Sequence, residues 1–177
     1  MEKERIKRAH DNVQQALFGL SEGKRSETHC NYADCRAELK ESRFRYFCKE
    51  HNALATQLEI RPSTIPNAGE GLFACGGGFA ADDAIDVYTG DILTHPLEKT
   101  NRTYLFQCGQ SYCVDGSSTK SCMSRWANSS TTNPNARMKL FEASPGIFLP
   151  LLCALHDISP GSEILFDYGP FHPFPSS

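Results

Sequence analysis

Three cysteines and one histidine lie close together in the N-terminal part of the chain, at a spacing that suits a metal ion. Cys30, Cys35, Cys48 and His51 follow the pattern C-x4-C-x12-C-x2-H. Tetrahedral Zn²⁺ binds thiolates and imidazoles in sets of this kind, and four protein ligands leave no open position for a reaction. The pattern therefore predicts a structural zinc site over residues 28–52, in which the metal stabilises a segment too short to bury a core of its own.

Other interpretations of this cluster stay open. His29, beside Cys30, is a competing ligand, and the alternative without a metal is a set of buried thiols near a surface histidine. The basic residues of the segment are partly balanced by acidic ones, which gives little support to a nucleic-acid partner. Five further cysteines are predicted to be buried thiols, namely Cys75, Cys108, Cys113, Cys122 and Cys153.

A second group of motifs runs through the rest of the chain. GEGLFA (69–74) has two glycines that let a ligand approach the backbone, but it lacks the Lys-Ser/Thr pair of a phosphate loop. VYTGDIL (87–93) places a tyrosine two residues before a glycine, and NRTYLFQCGQSYCVDGS (101–117) is typical of a strand hairpin. The last two motifs are an asparagine-rich loop, SRWANSSTTNPNAR (124–137), and DISPGSEILFDYG (157–169).

These five motifs, in this order, resemble those of the SET domain family over residues 56–170. The resemblance implies a mostly β fold of several small sheets with a knot-like C-terminal segment. An N-terminal helix and the small zinc segment are predicted, from their own patterns, to precede it. The resemblance also implies a protein-lysine N-methyltransferase that uses S-adenosylmethionine and releases S-adenosylhomocysteine. The expected partner is a peptide or protein lysine, by family precedent in a histone tail. A chromatin regulator of this kind is expected in the nucleus, with the cytoplasm as the alternative.

The resemblance also assigns roles to individual residues. Tyr168 is carried over as the catalytic tyrosine, and Tyr88 as the second catalytic tyrosine, which faces it across the lysine channel. Phe166 stands where a tyrosine in the family restricts the product to monomethyl-lysine, so a phenylalanine implies di- or trimethylation. Cofactor binding is implied for a larger set, namely Gly69, Glu70, Gly71, Leu72, Arg125, Asn128, Ser129 and Tyr168.

The reaction that this resemblance implies requires a neutral lysine amine, because an ammonium group has no lone pair. The ordinary lysine pKa is about 10.4, so the neutral form is scarce near neutral pH. An apolar channel disfavours the charged form and lowers that pKa. Most of the rate would come from holding the amine, methyl group and sulfur in line, with no metal or dedicated strong base.

The sequence departs from the family's pattern at two places. Ser129 stands where the family has a histidine, which is expected to weaken cofactor binding unless Trp126 fills the space. The family's cysteine-rich segment is missing after Gly169, and three alternatives stay open there: an aromatic lid from Phe171 or Phe174, a lid from a substrate or partner, and a frayed proline-rich tail. Two alternative functions therefore stay open: a non-catalytic SET fold that binds a peptide or cofactor without turnover, and a zinc-finger interaction module.

Short strands and turns must position these residues. Apolar residues recur at helical spacing in residues 1–22 and predict an amphipathic helix there. From residue 56 onward the pattern predicts short strands. Gly109-Gln110 suits a two-residue hairpin turn, and Ser144-Pro145-Gly146 marks a second hairpin. Residues 171–177 are predicted to be a tail.

Composition limits the remaining function classes. The chain has 177 residues and a net charge of −3, so it has no global basic field for nucleic acid. It contains no apolar run of the roughly 18–20 residues that span a bilayer, and its start lacks a signal peptide. These features predict an intracellular protein without a membrane partner. The oligomeric state is not indicated.

Overall fold

The computed structural model describes residues 13, 26, 28–32, 34–39, 44, 46–94, 103–110, 112–118 and 121–169. The predicted N-terminal helix of residues 1–22 lies outside this part apart from Val13, which is helical. The predicted tail of residues 171–177, with Phe171 and Phe174, also lies outside it.

Short strands dominate the described part of the chain, as the sequence predicts for a mostly β fold. The helix α1 spans Lys49–Thr56, and the strands are β1 Leu58–Pro62, β2 Glu70–Ala74, β3 Ala84–Val87, β4 Asp91–Leu93, β5 Leu105–Cys108, β6 Tyr112–Asp115, β7 Asn128–Ser129, β8 Ala136–Ser144, β9 Ile147–Ala154 and β10 Leu165–Phe166. A 3-10 turn covers Ser124–Trp126. Within the described part, no helix has the length and apolar character that crossing a membrane requires.

The strands form three small sheets, and the C-terminal strand closes the largest of them. β1 pairs with β2, β4-β6-β5 form a second sheet, and β3-β9-β8-β10-β7 form the third. Phe166 of β10 pairs in parallel with Ser129 of β7 and with Ala136 of β8. A late strand is thus inserted between two strands that follow each other in the chain, which confirms the predicted knot-like arrangement.

Two hydrophobic cores support the sheets. The larger one joins the β1–β2 pair to the five-stranded sheet, and each of its fully buried aliphatic side chains contributes about 2 kcal/mol by leaving water. These side chains are Leu58, Leu72, Ile85, Leu152 and Ile164. A smaller core includes Tyr88, Tyr112 and Val114. Tyr88 directly follows β3 in the chain, and its side chain packs in the core of the three-stranded sheet.

The two predicted hairpins are present, with one correction. Ser144 pairs with Ile147, and Pro145-Gly146 form the turn, with Gly146 at φ 76° as a type II turn requires. In the first hairpin Cys108 pairs with Tyr112, so three residues connect the strands and the predicted two-residue turn is wrong. Gly109, the first of these three residues, has φ 63°, a left-handed conformation that glycine adopts without steric cost.

Sequence patterns did not predict α1, because its segment KEHNALAT has no helical stripe of apolar residues. The helix ends at Gln57, which has φ 57° and donates its N–H to the carbonyl of Ala53 at 3.0 Å. The buried side chain of Asn52 donates to the carbonyl of Leu58 at 2.9 Å. Since His51 lies on the same helix, α1 connects the cysteine–histidine cluster to β1.

Candidate active site and metal centre

Tyr88, Phe166 and Tyr168 line one cavity of about 100 Å³. Tyr88 directly follows β3, whereas Phe166 ends β10 and Tyr168 comes two residues later. The chain-distant positions meet because β10 is inserted into the same sheet that contains β3. Half of the remaining wall is aromatic or apolar and includes Tyr104, Phe106 and Met138, and the other half is polar or charged and includes Arg125 and Asp167. The aromatic part of this wall offers apolar surface against which an unbranched alkyl chain can pack.

The hydroxyl groups of both tyrosines are held by backbone carbonyls. Tyr88 donates to the carbonyl of Tyr104 at 2.9 Å, and Tyr168 donates to the carbonyl of Ala127. Burial raises the pKa of Tyr88 and of Tyr168 above the ordinary value of 10.0, so both phenols stay neutral at physiological pH. Because each hydroxyl donates its proton to a carbonyl, each oxygen can act toward a group in the cavity only as an acceptor.

Phe166 supplies an apolar wall beside Tyr168. The two ring centroids lie 4.6 Å apart at an interplanar angle of 52°, a tilted arrangement that aromatic pairs favour. Phe166 is 7% exposed and packs into the main core as well as lining the cavity. It offers no hydroxyl that could hold a water molecule in this wall.

Arg125 brings the positive charge of the cavity wall. Its Nε donates to the carbonyl of Gly116 at 2.8 Å and a terminal N–H donates to the carbonyl of Ser117 at 3.4 Å. The guanidinium carbon lies 4.5 Å from the ring centroid of Tyr104 and 4.4 Å from that of Trp126. The charge is therefore oriented by two carbonyls and stacked on two aromatic faces, which stabilise it after its removal from water.

Asn128 lies in a second group of polar residues. Its Nδ2 donates to Ser63 Oγ at 3.1 Å, to the carbonyl of Glu70 at 3.0 Å and to Glu163 Oε1 at 3.1 Å. Thr64 donates its backbone N–H to the other oxygen of Glu163 at 2.7 Å. Burial alone would raise the pKa of Glu163, but the hydrogen bonds from Thr64, Ser63 and Asn128 outweigh it and hold the pKa below its ordinary value. The glycine loop (residues 69–71), Asn128 and the buried carboxylate of Glu163 thus form one network.

The predicted cofactor-binding loop contains three different environments. A Cβ at Gly71 would lie 2.1 Å from Glu163 Oε1, so only glycine fits beside this carboxylate. Gly69 has φ 76° and open space where a Cβ would stand, which leaves its backbone accessible. Leu72, in contrast, is fully buried in the main core. The two glycines and Glu70 therefore lie next to the Asn128 network, and Leu72 anchors the loop by packing in the main core.

Ser129 and Trp126 flank Asn128 in the same loop. Ser129 Oγ accepts the backbone N–H of Tyr168 at 3.4 Å, so the residue at the position of the expected histidine contacts the backbone of the tyrosine. Trp126 is half-buried, stacks on Arg125 and packs against the main core. The predicted use of Trp126 to replace a histidine ring stays a prediction.

The predicted metal ligands meet in one cluster. The ligand atoms of Cys30, Cys35, Cys48 and His51 all lie within 4.8 Å of one another. His51 Nδ1 is 3.6 Å from Cys30 Sγ and 3.2 Å from Cys48 Sγ, which is close to the ligand–ligand separation that zinc bonds of about 2.0–2.3 Å produce in a tetrahedron. His29 lies apart, exposed, with its Nδ1 3.0 Å from the hydroxyl of Thr28. The donor set therefore fits Zn²⁺, and His51, not His29, is the histidine that belongs to it.

Several residues of the site were not found from the sequence. Tyr104 contributes its backbone carbonyl to Tyr88, a role that any residue type could fill. Glu163 belongs to a quoted motif, but nothing in that motif indicates its bond to Asn128. Asp86 is fully buried in β3 and accepts the backbone N–H of Ser124. Its signal was a single charged residue in the otherwise apolar run AIDVY.

Comparison with protein families gives one clear match. The model of the SET domain family matches residues 21–169 of this chain. No curated protein matches the chain. The family match covers the cysteine–histidine cluster, the glycine loop and both tyrosines of the cavity.

Solved structures with a similar fold include chains of the polycomb repressive complex 2 of Chaetomium thermophilum. The crystal structure of that complex has a chain with a TM-score of 0.55 and 24% identity, which covers 66% of this chain and 16% of its own length. The complex in an autoinhibited conformation bound to S-adenosylmethionine gives a TM-score of 0.56 and 23% identity over 67% of this chain and 16% of that one. The apo complex in an autoinhibited state gives a TM-score of 0.54 and 23% identity over 66% of this chain and 16% of that one. The present chain thus corresponds to a small part of those proteins, and the likeness is one of fold.

Proposed function

Because the chain belongs to the SET domain family, we propose that it is a protein-lysine N-methyltransferase that uses S-adenosylmethionine. The observation that carries this proposal is the cavity shared by Tyr88, Phe166 and Tyr168. Its aromatic wall suits the alkyl part of a lysine side chain, and its two hydroxyl oxygens suit the amine at the end. A lysine ammonium that enters this wall loses water, which lowers its pKa and favours the neutral nucleophile.

The two tyrosines would act by orienting the amine. Each hydroxyl donates its proton to a carbonyl, Tyr88 to Tyr104 and Tyr168 to Ala127, so toward an amine N–H each oxygen would act as an acceptor. Burial keeps both phenols neutral by raising the pKa of each. Neither tyrosine therefore serves as an anionic base near pH 8, and the amine must lose its proton before transfer. Holding the lone pair in one direction is the contribution that this wall makes to the rate.

The residues around the glycine loop fit the amino-acid end of S-adenosylmethionine, which when bound supplies the electrophilic methyl group. The two hydrogens of the Asn128 Nδ2 are shared among three protein oxygens, so its Oδ1 is the atom that would accept from an ammonium group. The accessible backbone at Gly69 and the carbonyl of Glu70 lie in the same network. Arg125 lies in the cavity wall and not in the glycine loop, and its oriented guanidinium would provide the cation for the carboxylate of the cofactor.

For the substrate, we propose a histone tail lysine and a nuclear location. The support is the family resemblance, together with the likeness in fold to a chain of a polycomb repressive complex. We also propose that the product extends to di- or trimethyl-lysine. Phe166 gives the cavity wall an apolar surface, so no hydroxyl-bound water occupies the space that a second methyl group needs.

The zinc cluster is proposed to have a structural role. Its four ligands fill a tetrahedron and leave no position for a substrate. Buried Leu39, Tyr46 and Phe47 pack with the cysteines into a small core of their own. Metal binding would stabilise this core. Because α1 contains His51 and leads into β1, it would hold the core next to the methyltransferase part, which we place in residues 56–170.

Methyl transfer from radiolabelled S-adenosylmethionine to core histones, and in parallel to proteins of a cell extract, tests the function. Tyr168→Phe should lower kcat at least tenfold, while calorimetric titration with S-adenosylmethionine should give the wild-type affinity within about threefold. The matched control is Tyr112→Phe, because Tyr112 is also buried and also donates its hydroxyl to a carbonyl, that of Phe148, but does not line the cavity.

The outcomes separate the alternatives. Cofactor binding without transfer to any protein would favour a non-catalytic SET fold. Loss of transfer in Tyr112→Phe as large as in Tyr168→Phe would contradict the assigned role of the cavity. Mass spectra that show only monomethyl-lysine after long incubation would contradict the role of Phe166.

A further inference from the structure

The buried carboxylate of Asp86, close in the chain to Tyr88, has no role in the chemistry proposed above. Asp86 lies in β3, two residues before Tyr88, and its exposed fraction is 0%. Its neighbours along the strand, Ile85 and Val87, are also buried. The pairing of β3 with β9 shifts register between Ala84 and Asp86. The side chain therefore lies inside the protein and not on the sheet surface.

The carboxylate holds the turn from which much of the active site is built. Asp86 Oδ2 accepts the backbone N–H of Ser124, the first residue of the 3-10 turn, at 2.6 Å. A short bond to an ionised group at the start of a turn is among the stronger hydrogen bonds in proteins. The next residue in the turn is Arg125, and the residue that follows the turn is Ala127.

A second bond fixes the same two segments to each other. Thr89, one residue after Tyr88, donates its hydroxyl to the carbonyl of Ser121. Tyr88 thus lies between two residues that bind this part of the chain. Asp86 binds Ser124 in the turn, and Thr89 binds Ser121 before the turn. The carbonyl of Ala127 in turn accepts the hydroxyl of Tyr168.

We propose that Asp86 is a positioning residue, which fixes the turn of Ser124–Trp126 against β3 and thereby sets Arg125 and the Tyr168 hydroxyl relative to Tyr88. Its role in methyl transfer rests on the proposed function, but its role in holding the turn does not. The carboxylate does not line the cavity and so acts through the turn.

The environment of Asp86 supports a functional and not a stabilising role. Burial raises the pKa of Asp86 from 3.8 to about 6, so at neutral pH its carboxylate is ionised although it is removed from water, which destabilises the folded protein. Few titratable groups face it. Cys122 approaches from the segment before the turn, and burial, followed by the charge of Asp86, raises the pKa of that thiol. β9 contributes Leu151 and Leu152, and Arg125 directs its Nε to the carbonyl of Gly116.

Trp126 offers a direct readout, because it is the single tryptophan of the chain and belongs to this turn. Protonation of Asp86 weakens the bond to Ser124, so tryptophan emission of the wild-type protein should change reversibly between pH 8 and pH 5, with a midpoint near pH 6. Asp86→Asn should abolish this change. The matched control is Asp83→Asn, whose carboxylate accepts the N–H of Ala80 on an exposed turn; its titration should follow the wild type.

Activity and stability give the second measurement. Asp86→Asn should lower kcat at pH 8 at least tenfold while its melting temperature equals or exceeds that of the wild type, because the amide removes the buried charge. A purely structural residue would lower both together. The proposal is overturned if the emission change persists in Asp86→Asn, or if kcat falls only in proportion to a lower melting temperature. If the wild type transfers no methyl group at all, the proposed function fails while the emission titration still decides whether Asp86 holds the turn.

Discussion

The amide nitrogen of Asn128 lies 3.1 Å from a carboxylate oxygen of Glu163, although the two residues are 35 positions apart. Both belong to strongly recognisable motifs, and β10 brings these motifs together by pairing with β7. The carboxylate also accepts the hydroxyl of Ser63 at 2.7 Å. Glu163 therefore links three segments: the loop after β1, the asparagine loop and the C-terminal motif.

Replacing Glu163 with glutamine should weaken cofactor binding about tenfold. The two oxygens of Glu163 receive only donors, from Ser63, Thr64 and Asn128, so the NH2 group of a glutamine must face a donor on one side. The lost charged hydrogen bonds correspond to about 1.5–3 kcal/mol. Calorimetric titration with S-adenosylmethionine measures the effect, and Glu59→Gln is the control because Glu59 pairs with Arg61 at the surface. Equal affinities for both variants would contradict this prediction.

Gly71→Ala should be more damaging than its small size suggests. The new Cβ would lie 2.1 Å from Glu163 Oε1, which is fixed by Ser63 and Asn128 and cannot move freely. We expect a loss of about 1–3 kcal/mol in the free energy of unfolding, as for other overpacked sites, together with weaker cofactor binding. Gly77→Ala tests the reasoning, since its Cβ would meet only the end of a flexible Gln57 side chain at 3.1 Å. Thermal unfolding of the two variants should therefore differ, and equal melting temperatures would count against the packing argument.

Much of this site could be predicted from the sequence because its residues lie in short contiguous motifs. Tyr88, Phe166 and Tyr168 were predicted to share a channel, and they line one cavity. The eight residues of α1 could not be predicted, because its stability comes from contacts such as that of Asn52 with Leu58 and not from an apolar stripe. The hydrogen bond from Ser124 to the buried Asp86 joins residues 38 positions apart, a contact that local sequence does not encode.

Removal of zinc should unfold the segment around the cluster before the rest of the protein. Cys48→Ser deletes one of four ligands, so metal analysis should show less than one Zn²⁺ per chain, compared with one for the wild type. The melting temperature should fall by about 5–10 °C for a loss of roughly 2–3 kcal/mol. Cys75→Ser is the control, because Cys75 is only half-buried and lies outside the cluster. A zinc-free wild-type protein with an unchanged melting temperature would contradict the structural role.

Ser129→Ala should lower kcat by about two- to tenfold, the range that one hydrogen bond of 0.5–1.5 kcal/mol allows. The hydroxyl of Ser129 accepts the backbone N–H of Tyr168, so its loss should loosen the tyrosine without removing it. Ser129→Thr keeps the hydroxyl and should retain most of the activity. Steady-state kinetics should show the effect in kcat more than in the KM for S-adenosylmethionine. A change confined to that KM would instead support the predicted role of Ser129 in cofactor binding.

The stability of the protein should depend on the protonation of Asp86 with a sign opposite to that of most carboxylates. Its pKa is about 6 in the folded protein and near 3.8 when unfolded, so between these values the folded state binds more protons. The contribution of Asp86 to stability therefore falls as pH rises from about 4 to 6 and is constant above that range, with a total change of roughly 3 kcal/mol. Urea unfolding of the wild type and of Asp86→Asn at several pH values isolates this contribution as the difference between the two curves, since zinc release and other titrations affect both. The wild type should lose stability relative to Asp86→Asn as pH rises toward 6; a difference that stays constant from pH 4 to 7 would show that Asp86 titrates normally and would remove the electrostatic reason for assigning it a functional role.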